Sequence, residues 1–505
     1  MRPRRGKEVC GARRAAAIRL NALGVAGVAP RYGTAFVLWI AVPAAAERSP
    51  TSAPSAQTES DAPKPSRPVY SNSLAIGTRV SPDPPEYVRS GAQIAEWLRD
   101  PRPERFNWLE FGIEHNTRFE HRQNFYPAGN LNDDRFLMRS RAYLGLREIL
   151  DPLRFGLEFQ DARAFGNSFP EVTRDLDENE ILQAFTEVYL KDVLGREHPL
   201  SLRAGRMSFD LVNRRLFARN AFRNSTNSFD GFRLRAGDAT TPWEVNLLAV
   251  QPVAERVRQF NRCDERGWLY ALSADLRWLD PGIRFLPYYI VRHADGRDRT
   301  VADQEFHTIG HNVFGRIGAS GFDYDLDAAW QFGERRQREV RAFALHAELG
   351  YSFELARQPR IAAFVDYASG DRHPRDRIDE RFDRLFGAAH TMYAPTDMFI
   401  RENLIQPGLR FTWRPIDKLT IESTYRAYWL ASDSDEWRPT GIRDPNGRSG
   451  DFIGHGLDVF AVYRLSRQIT IEIGYAHLTA GPFIQNAASR ADDSDFFYVQ
   501  TTLRL

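Results

Sequence analysis

The chain has 505 residues, a mean hydropathy of -0.48, 27% charged residues and a formal net charge of +2 at pH 7. Beyond the amino-terminal leader this composition excludes a helical membrane protein, because no segment offers the run of about 20 apolar residues that spans a bilayer as a helix. The balanced charge argues against a nucleic-acid partner, since no basic block stands out from the acids around it.

The amino terminus has the pattern of a secretory signal. The apolar stretch GTAFVLWIAVPAAAE (Gly33–Glu47) ends near Ala44-Ala45-Ala46, the small-residue pattern of a cleavage site, and arginines precede it. We predict that residues 1–46 form a leader that delivers the chain to the periplasm of a Gram-negative cell. Cys10 lies in this leader, so the mature chain keeps Cys263 alone and can form neither an internal disulfide nor a cysteine zinc site.

Residues 47–105 are predicted to connect the leader to the main domain. The segment Glu47–Pro68 is rich in Pro, Ser and Ala, cannot bury a core and is therefore predicted to be a disordered spacer. The stretch SGAQIAEWLRD (Ser90–Asp100) is predicted to form a short helix on the periplasmic side.

Residues 106–505 contain repeated runs of about 9 to 13 residues in which apolar and polar side chains alternate. In FDYDLDAAWQF (Phe322–Phe332) the rings and leucine occupy the even positions, and Asp323, Asp325 and Asp327 occupy odd ones. Because a strand sends successive side chains to opposite faces, this pattern predicts a strand with one apolar and one charged face.

About eighteen such runs follow one another. Further examples are Trp108–Glu120, Arg135–Glu148, Gly408–Pro415, Leu419–Leu430 and Gly456–Leu465.

Two architectures could hold these runs. A soluble sandwich or propeller usually has strands of about 5 to 6 residues that bury their apolar face against another sheet. A transmembrane β-barrel needs strands of about 9 to 11 residues with apolar residues toward lipid and polar residues toward a water-filled lumen. The closing run DFFYVQTTLRL (Asp495–Leu505) ends on its apolar face, as the last strand of a bacterial barrel does. We therefore predict an all-β antiparallel barrel of about eighteen strands over residues 106–505, inserted in outer-membrane lipid.

Arginine dominates the basic residues. Only four of the 68 Lys and Arg residues are lysine, which leaves 64 arginines. Arginine binds carboxylates bidentately, which suits an anionic ligand, although a GC-rich genome would also enrich arginine. Alternation predicts that inward arginines outnumber the inward acids, which favours an anionic solute. For any single residue the alternative is an ion pair that braces the wall. The candidates are Arg118, Arg139, Arg141, Arg203, Arg233, Arg235, Arg410, Arg426 and Arg464, with Glu114, Glu187, Asp366 and Asp458.

Six segments of the predicted barrel can be compared with known families. They are LQAFTEVYL (Leu182–Leu190), LSLRAGRMSFD (Leu200–Asp210), FVDYASGDRHP (Phe364–Pro374), LFGAAHTMY (Leu385–Tyr393), YRAYWLASDSD (Tyr425–Asp435) and GLDVFAVYRLSRQITIEIGYAHLTAG (Gly456–Gly481). Together they resemble the outer-membrane alginate export family. The resemblance implies a barrel of about eighteen strands whose arginine-rich constriction selects a polyuronate. It places Glu187 at an inward acid of the family, and Arg206, Asp366, Arg426 and Asp458 in the matching segments.

The function expected from these features is export of an anionic polysaccharide by facilitated diffusion, with no catalytic residue, metal or cofactor. The long charged loops Asp371–Arg384 and Ala431–Gly450 are predicted to gate the mouth or plug the lumen, and a periplasmic scaffold would supply the polymer. One alternative is a porin that takes in small anions. The other is an outer-membrane hydrolase, which would pair a nucleophile or base with a histidine such as His373, His390 or His477.

Overall fold

The computed structural model describes residues 83–505 except 130, 170–171, 266, 281, 297–302 and 391, and it leaves out the side chains of 278–280. The predicted leader and the whole of the predicted spacer, Glu47–Pro68, lie outside the described residues. None of the described helices is long and apolar enough to span a membrane.

The described chain is almost all-β and contains eighteen long strands. They are β1 (Leu109–Phe125), β2 (Leu131–Leu150), β3 (Leu153–Phe165), β4 (Asp177–Leu190), β5 (Leu200–Met207), β6 (Phe229–Gly237), β7 (Trp243–Ala254), β8 (Gly267–Asp280), β9 (Ile283–Ala294), β10 (Gln304–Arg316), β11 (Phe322–Arg335), β12 (Arg338–Ser352), β13 (Arg360–Ala368), β14 (Leu404–Ile416), β15 (Leu419–Trp429), β16 (Phe452–Arg464), β17 (Ile469–Ala480) and β18 (Ser494–Arg504). Short two-residue strands lie at Arg262–Cys263, Ile378–Asp379, Glu436–Trp437 and Ile442–Arg443.

Each long strand pairs antiparallel with the next one along the chain, and β18 pairs with β1 to close the barrel. The closing pair runs in register from Glu114 opposite Arg504 to Gln123 opposite Asp495. Closure satisfies the backbone hydrogen bonds of every strand, which is the condition for a sheet to lie in hydrocarbon. The predicted fold, an antiparallel barrel of about eighteen strands, is confirmed.

The predicted alternation is visible in the burial of β11. Leu326, Trp330 and Phe332 are exposed on the outer face, whereas Asp325 and Asp327 are buried inside the barrel. Outside the barrel the apolar residues meet lipid at little cost, while a charge at mid-depth there would cost roughly 2–4 kcal/mol. A register slip of one residue would exchange the two faces, so the alternation fixes the register of the strand.

The two ends of the barrel differ in the length of their connections. At one end, which we call the short-turn end, turns such as 151–152, 417–418 and 465–468 join the strands. The other end carries the long loops, among them 208–228, 369–403, 430–451 and 481–493.

Two of the long loops fold into the lumen, and we call 208–228 inner loop 1 and 369–403 inner loop 2. Phe217 of inner loop 1 forms a backbone bridge with Phe386 of inner loop 2. Apolar residues of both loops, such as Leu211 and Phe382, pack in one cluster with inward residues of the wall. The lumen is therefore narrowed by a folded insert. Asp371–Arg384 lies in inner loop 2, and its role as a gate or a plug stays a prediction.

The described part of the chain contains two α-helices and two short 3-10 helices, the latter at Pro103–Phe106 and Tyr126–Ala128. Helix α1 (Gly91–Leu98) lies where the sequence predicts a helix, and Ser90 and Gln93 form a capping box at its amino terminus. Helix α2 (Pro482–Ala487) lies in the loop between β17 and β18. Because β1 begins and β18 ends at the short-turn end, the chain ahead of β1 reaches the barrel at that end.

Candidate functional site

One part of the lumen wall, formed by β1 to β3, places arginines around a single acid. The Nη2 atom of Arg139 lies 3.3 Å from a carboxylate oxygen of Glu114, and Nη1 of Arg141 lies 3.6 Å from the same oxygen. Arg139 also donates to the backbone oxygens of Ala221 and Arg223, at 2.8 and 2.7 Å. These wall arginines therefore hold inner loop 1 as well as balance an acid.

Inner loop 1 crosses the lumen between two walls. Arg219 donates to Glu158 of β3 at 2.8 Å. Arg215 donates to Asp366 of β13 at 3.0 Å. In a ring of eighteen strands β13 lies nearly opposite β5, from which the loop starts. Burial lowers the pKa of the Arg215 guanidinium, but Asp366 and the nearby Tyr393 more than offset this, and the pKa of Arg215 is raised overall.

The wall formed by β12 to β16 carries a chain of buried ion pairs. Glu348 lies between Arg360, at 2.7 Å, and Arg410, at 2.5 Å. Arg426 donates to Asp458 on the neighbouring strand, and both side chains are almost completely buried. Such pairs fix the shape of the wall, because separating either partner would leave an uncompensated buried charge.

The lumen at the short-turn end has an excess of arginine. Strand alternation puts ten arginines on the inward register there, and we call this set the arginine collar: Arg147, Arg154, Arg235, Arg277, Arg284, Arg316, Arg360, Arg414, Arg464 and Arg504. The wall acids at this level, or paired with a collar arginine, are Glu110, Glu114, Glu187, Glu244, Asp275, Asp323, Glu348 and Glu472. A ring with more cations than anions favours the passage of anions.

Members of the collar differ in how far their charge is neutralised. Arg147 lies 2.7 Å from Glu110, and Arg504 lies 3.1 Å from Glu114. Arg316 and Arg464 are exposed, and within the described part of the chain neither forms an ion pair. Some collar charges are thus available to a solute at the mouth.

One layer deeper, Arg203 of β5 lies opposite Arg233 of β6. The Nη2 atom of Arg203 lies 3.5 Å from Glu187, while Nη1 lies 3.0 Å from Asp83, which precedes the barrel. Arg233 lies 3.2 Å from the same Asp83 carboxylate. Two wall arginines therefore share a carboxylate that comes from outside the wall.

The structure places most of the predicted pore residues on the inward face of the wall. Buried inside the barrel are Arg139, Arg141, Arg203, Arg410, Arg426, Glu187, Asp366 and Asp458. Arg464 also has the inward register but lies at the exposed mouth. Their part in transport stays a prediction.

Arg206 departs from the prediction that it lines the pore. It follows Arg203 by three residues in a strand paired without a register shift, so the two side chains start from opposite faces. Arg206 binds Asp230 bidentately, at 2.8 and 3.0 Å, and also lies 2.6 Å from Glu180. It therefore braces β4 to β6 near the long-loop end.

Sequence reasoning missed inner loop 1, which supplies Arg215 and Arg219. Alternation gives no information about the direction of a loop. A signal was nevertheless present, since Phe209, Leu211 and Phe217 are apolar residues in a connection that would otherwise face water.

The three histidines considered for a hydrolase lie in inner loop 2 and in β17. His390 of inner loop 2 stacks on Phe222 with ring centroids 3.2 Å apart. His477 of β17 lies 2.9 Å from Asp495, and His373 is exposed in inner loop 2. Among the described residues no group of three or more His, Cys, Asp or Glu side chains is arranged to hold a metal ion.

Comparison with solved structures finds the same fold in several bacterial proteins. Similar structures include Pseudomonas aeruginosa OccK11 (OpdR), with 14% identity, a TM-score of 0.52 and coverage of 79% of this chain and 96% of that one. The outer membrane protein OprD from P. aeruginosa has 10% identity, a TM-score of 0.53 and coverage of 79% and 93%. Acinetobacter baumannii OccAB2 has 12% identity, a TM-score of 0.55 and coverage of 78% and 98%. At these identities the likeness shows the fold alone.

Comparison with curated proteins finds no match. The sequence profile of the Alginate export family, in contrast, matches residues 107–497, which covers almost the whole barrel. The match agrees with the closed barrel of eighteen strands, its apolar outer face and its charged lumen. The chain therefore belongs to the Alginate export family and is an outer-membrane β-barrel.

Proposed function

We propose that this outer-membrane channel carries an anionic polysaccharide, of the alginate-like polyuronate class, out of the periplasm by facilitated diffusion. The observation that carries the proposal is the arginine collar, in which ten inward arginines face eight wall acids at the mouth nearest the amino terminus of the barrel. A periplasmic export scaffold would deliver the polymer to this mouth, and synthesis behind the polymer would drive it forward.

The proposed mechanism is exchange of counterions. A polyuronate carries a carboxylate on each sugar, and arginines along the lumen replace its counterions by charge-assisted hydrogen bonds. Acids beside the arginines, such as Glu187 near Arg203 and Arg235, weaken each contact. Weak, repeated contacts favour conduction, because the polymer must bind well enough to enter and loosely enough to leave.

A porin for small anions is the second candidate. Inner loops 1 and 2 narrow the lumen, and inner loop 1 is bound to opposite parts of the wall through Glu158 and Asp366. A narrow, arginine-lined lumen also suits organic acids, which need less space than a polymer. A hydrolase has less support, since His390 stacks on Phe222, His373 is exposed and His477 lies on β17 beside Asp495.

The experiment that tests the proposal is single-channel recording of the refolded protein in a planar bilayer. We expect anion selectivity, and block by a polyuronate at concentrations where a neutral oligosaccharide of equal length has no effect. The variant Arg464→Gln should reduce the anion preference, whereas Arg467→Gln should not, because Arg467 lies in the adjoining turn and is almost fully exposed. Block by small organic anions with none by the polyuronate would favour the porin and contradict the polymer exporter.

A further inference from the structure

The chain just ahead of the barrel occupies the lumen at the short-turn end. We call residues 83–89 the entrance segment. Its Asp83 lies 3.2 and 3.0 Å from Nη1 of Arg203 through its two carboxylate oxygens, and 3.2 Å from Nη1 of Arg233. A carboxylate thus already sits between two inward arginines of the wall.

The rest of the entrance segment is held by specific contacts. Tyr87 is buried and donates to Glu158 at 2.5 Å. Glu86 lies 3.0 Å from Arg504 of the collar. The backbone of Arg89 exchanges two hydrogen bonds with Phe111 of β1, at 2.9 and 3.2 Å. The segment is therefore docked along its length.

The wall is shaped to receive this segment. A side chain at Gly112 would place its Cβ 2.4 Å from the backbone oxygen of Tyr87, a distance that no Cβ tolerates. Glycine at this position of β1 lets the two backbones approach, which is the usual reason for glycine inside a strand. The segment and the wall are complementary in shape as well as in charge.

The two arginines that hold Asp83 form a built site. Arg203 and Arg233 are 5% and 8% exposed, so their guanidinium groups are shielded from bulk water. The guanidinium of Arg203 lies 3.9 Å from the ring centre of Phe185, and Arg233 donates to Asn246 at 2.9 Å. Although burial raises the pKa of Asp83, the neighbouring arginines hold it well below its usual range.

Charge balance shows what the site would do without Asp83. Arg203, Arg233 and Arg235 would then face two wall acids, Glu187 beside Arg203 and Arg235, and Glu244 at 3.9 Å from Arg233. Removing one partner from a buried pair is expensive, because a charge is left uncompensated. A ligand carboxylate that takes the place of Asp83 avoids that cost. A ligand that carries a carboxylate therefore binds the undocked state better than the docked state, and it shifts the equilibrium of the entrance segment toward undocking.

We propose that Arg203 and Arg233 form a carboxylate-binding site of the lumen, and that Asp83 occupies it as an internal competitor until a sugar acid displaces it. The inference rests on the proposed function, since it assigns a subsite to the anionic solute. It also links the site to the constriction, because Glu158 accepts hydrogen bonds both from Tyr87 and from Arg219 of inner loop 1.

The test is block of the channel by glucuronate, a single sugar acid, added at the short-turn side of a planar bilayer. In Asp83→Asn we expect the half-blocking concentration of glucuronate to fall by about tenfold. This factor applies when Asp83 leaves the site free in about one wild-type molecule in ten. Glucose, added in the same way, should not block either protein. The control Asp100→Asn removes the same charge from an acid that binds Arg102 and Arg105 before β1, and it should behave as wild type.

A second set of variants tests the arginines themselves. Arg203→Gln with Arg233→Gln should abolish glucuronate block whether residue 83 is Asp or Asn. If that protein does not refold, Arg233→Gln alone should raise the half-blocking concentration. Glucuronate block that is the same in wild type and Asp83→Asn would overturn the proposal. This readout uses a single sugar, so glucuronate can block the channel even if polyuronate does not. Failure of polyuronate to block would contradict the polymer exporter and would leave the carboxylate-binding site standing.

Discussion

Arg215 of inner loop 1 and Asp366 of β13 are joined by a 3.0 Å ion pair, so a loop that starts at β5 is fastened to the far side of the barrel. His346 lies 2.9 Å from the same Asp366 oxygen. Both ends of the crossing are secured, since Arg219 is fastened to Glu158 of β3. The position of inner loop 1 therefore depends on a small number of buried ion pairs.

Breaking the ion pair between Arg215 and Asp366 should widen the part of the lumen that inner loops 1 and 2 narrow, and should make inner loop 1 more mobile. In Arg215→Gln the loop loses its charged partner on β13, and we expect higher open-channel current with more frequent transitions between current levels. Single-channel recording at fixed voltage measures both. The control Arg341→Gln removes the same charge from a pair with Glu339 that is exposed outside the lumen. Current traces that are alike for the two variants would show that the ion pair does not position the loop.

The outer face of the barrel gives a prediction about folding. Ile309, in the middle of β10, is 50% exposed and points away from the lumen. The substitution Ile309→Arg should make folding into lipid vesicles less favourable by about 2–4 kcal/mol, because it places a charge in hydrocarbon. The same change at Phe322, the first residue of β11, should cost about 0–1 kcal/mol because it lies near the interface. Urea titration followed by tryptophan fluorescence measures both, and equal costs would contradict the assigned depth.

The wall could be predicted from the sequence because the alternation of side chains has a physical cause at every position. Arg139 and Arg141 could be placed inward, and Phe136 outward, from a period of two alone. The same reasoning shows why Arg203 and Arg206 could not both line the pore. Separated by an odd number of residues in an unshifted strand, they must start from opposite faces.

The contents of the lumen could not be predicted in the same way. Loops 208–228 and 369–403 have no regular period, and their path depends on distant partners such as Asp366 and Glu158. The position of Asp83 between Arg203 and Arg233 joins residues that are 120 or more positions apart in sequence. Only the three-dimensional structure brings such groups together.

Arg426 and Arg464 should differ strongly in their contribution to stability. Arg426 is fully buried against Asp458, and its loss would leave that carboxylate without its partner, which costs about 3–5 kcal/mol. Arg464 lies exposed at the mouth, so Arg464→Met should change the free energy of unfolding by about 0.5 kcal/mol or less. Urea titration of Arg426→Met and Arg464→Met compares them. Adding Asp458→Asn to Arg426→Met should restore part of the loss, and a failure to do so would argue against the ion pair as its cause.

The pH dependence of the current should report the docking of the entrance segment. Asp83 has a pKa below its usual value of 3.8, since the charges of Arg203, Arg233 and Arg235 outweigh the effect of burial. A lowered pKa in the docked state means that the charged carboxylate stabilises docking at any pH above about 4, and that this contribution is lost as the pH falls through the lowered pKa. We therefore expect constant chloride current from pH 7 to pH 5 and an increase only in stronger acid. In Asp83→Asn the current should be high throughout and should lack the acid-dependent step. A rise in wild-type current between pH 7 and pH 5 would mean that another group, and not Asp83, controls the docking.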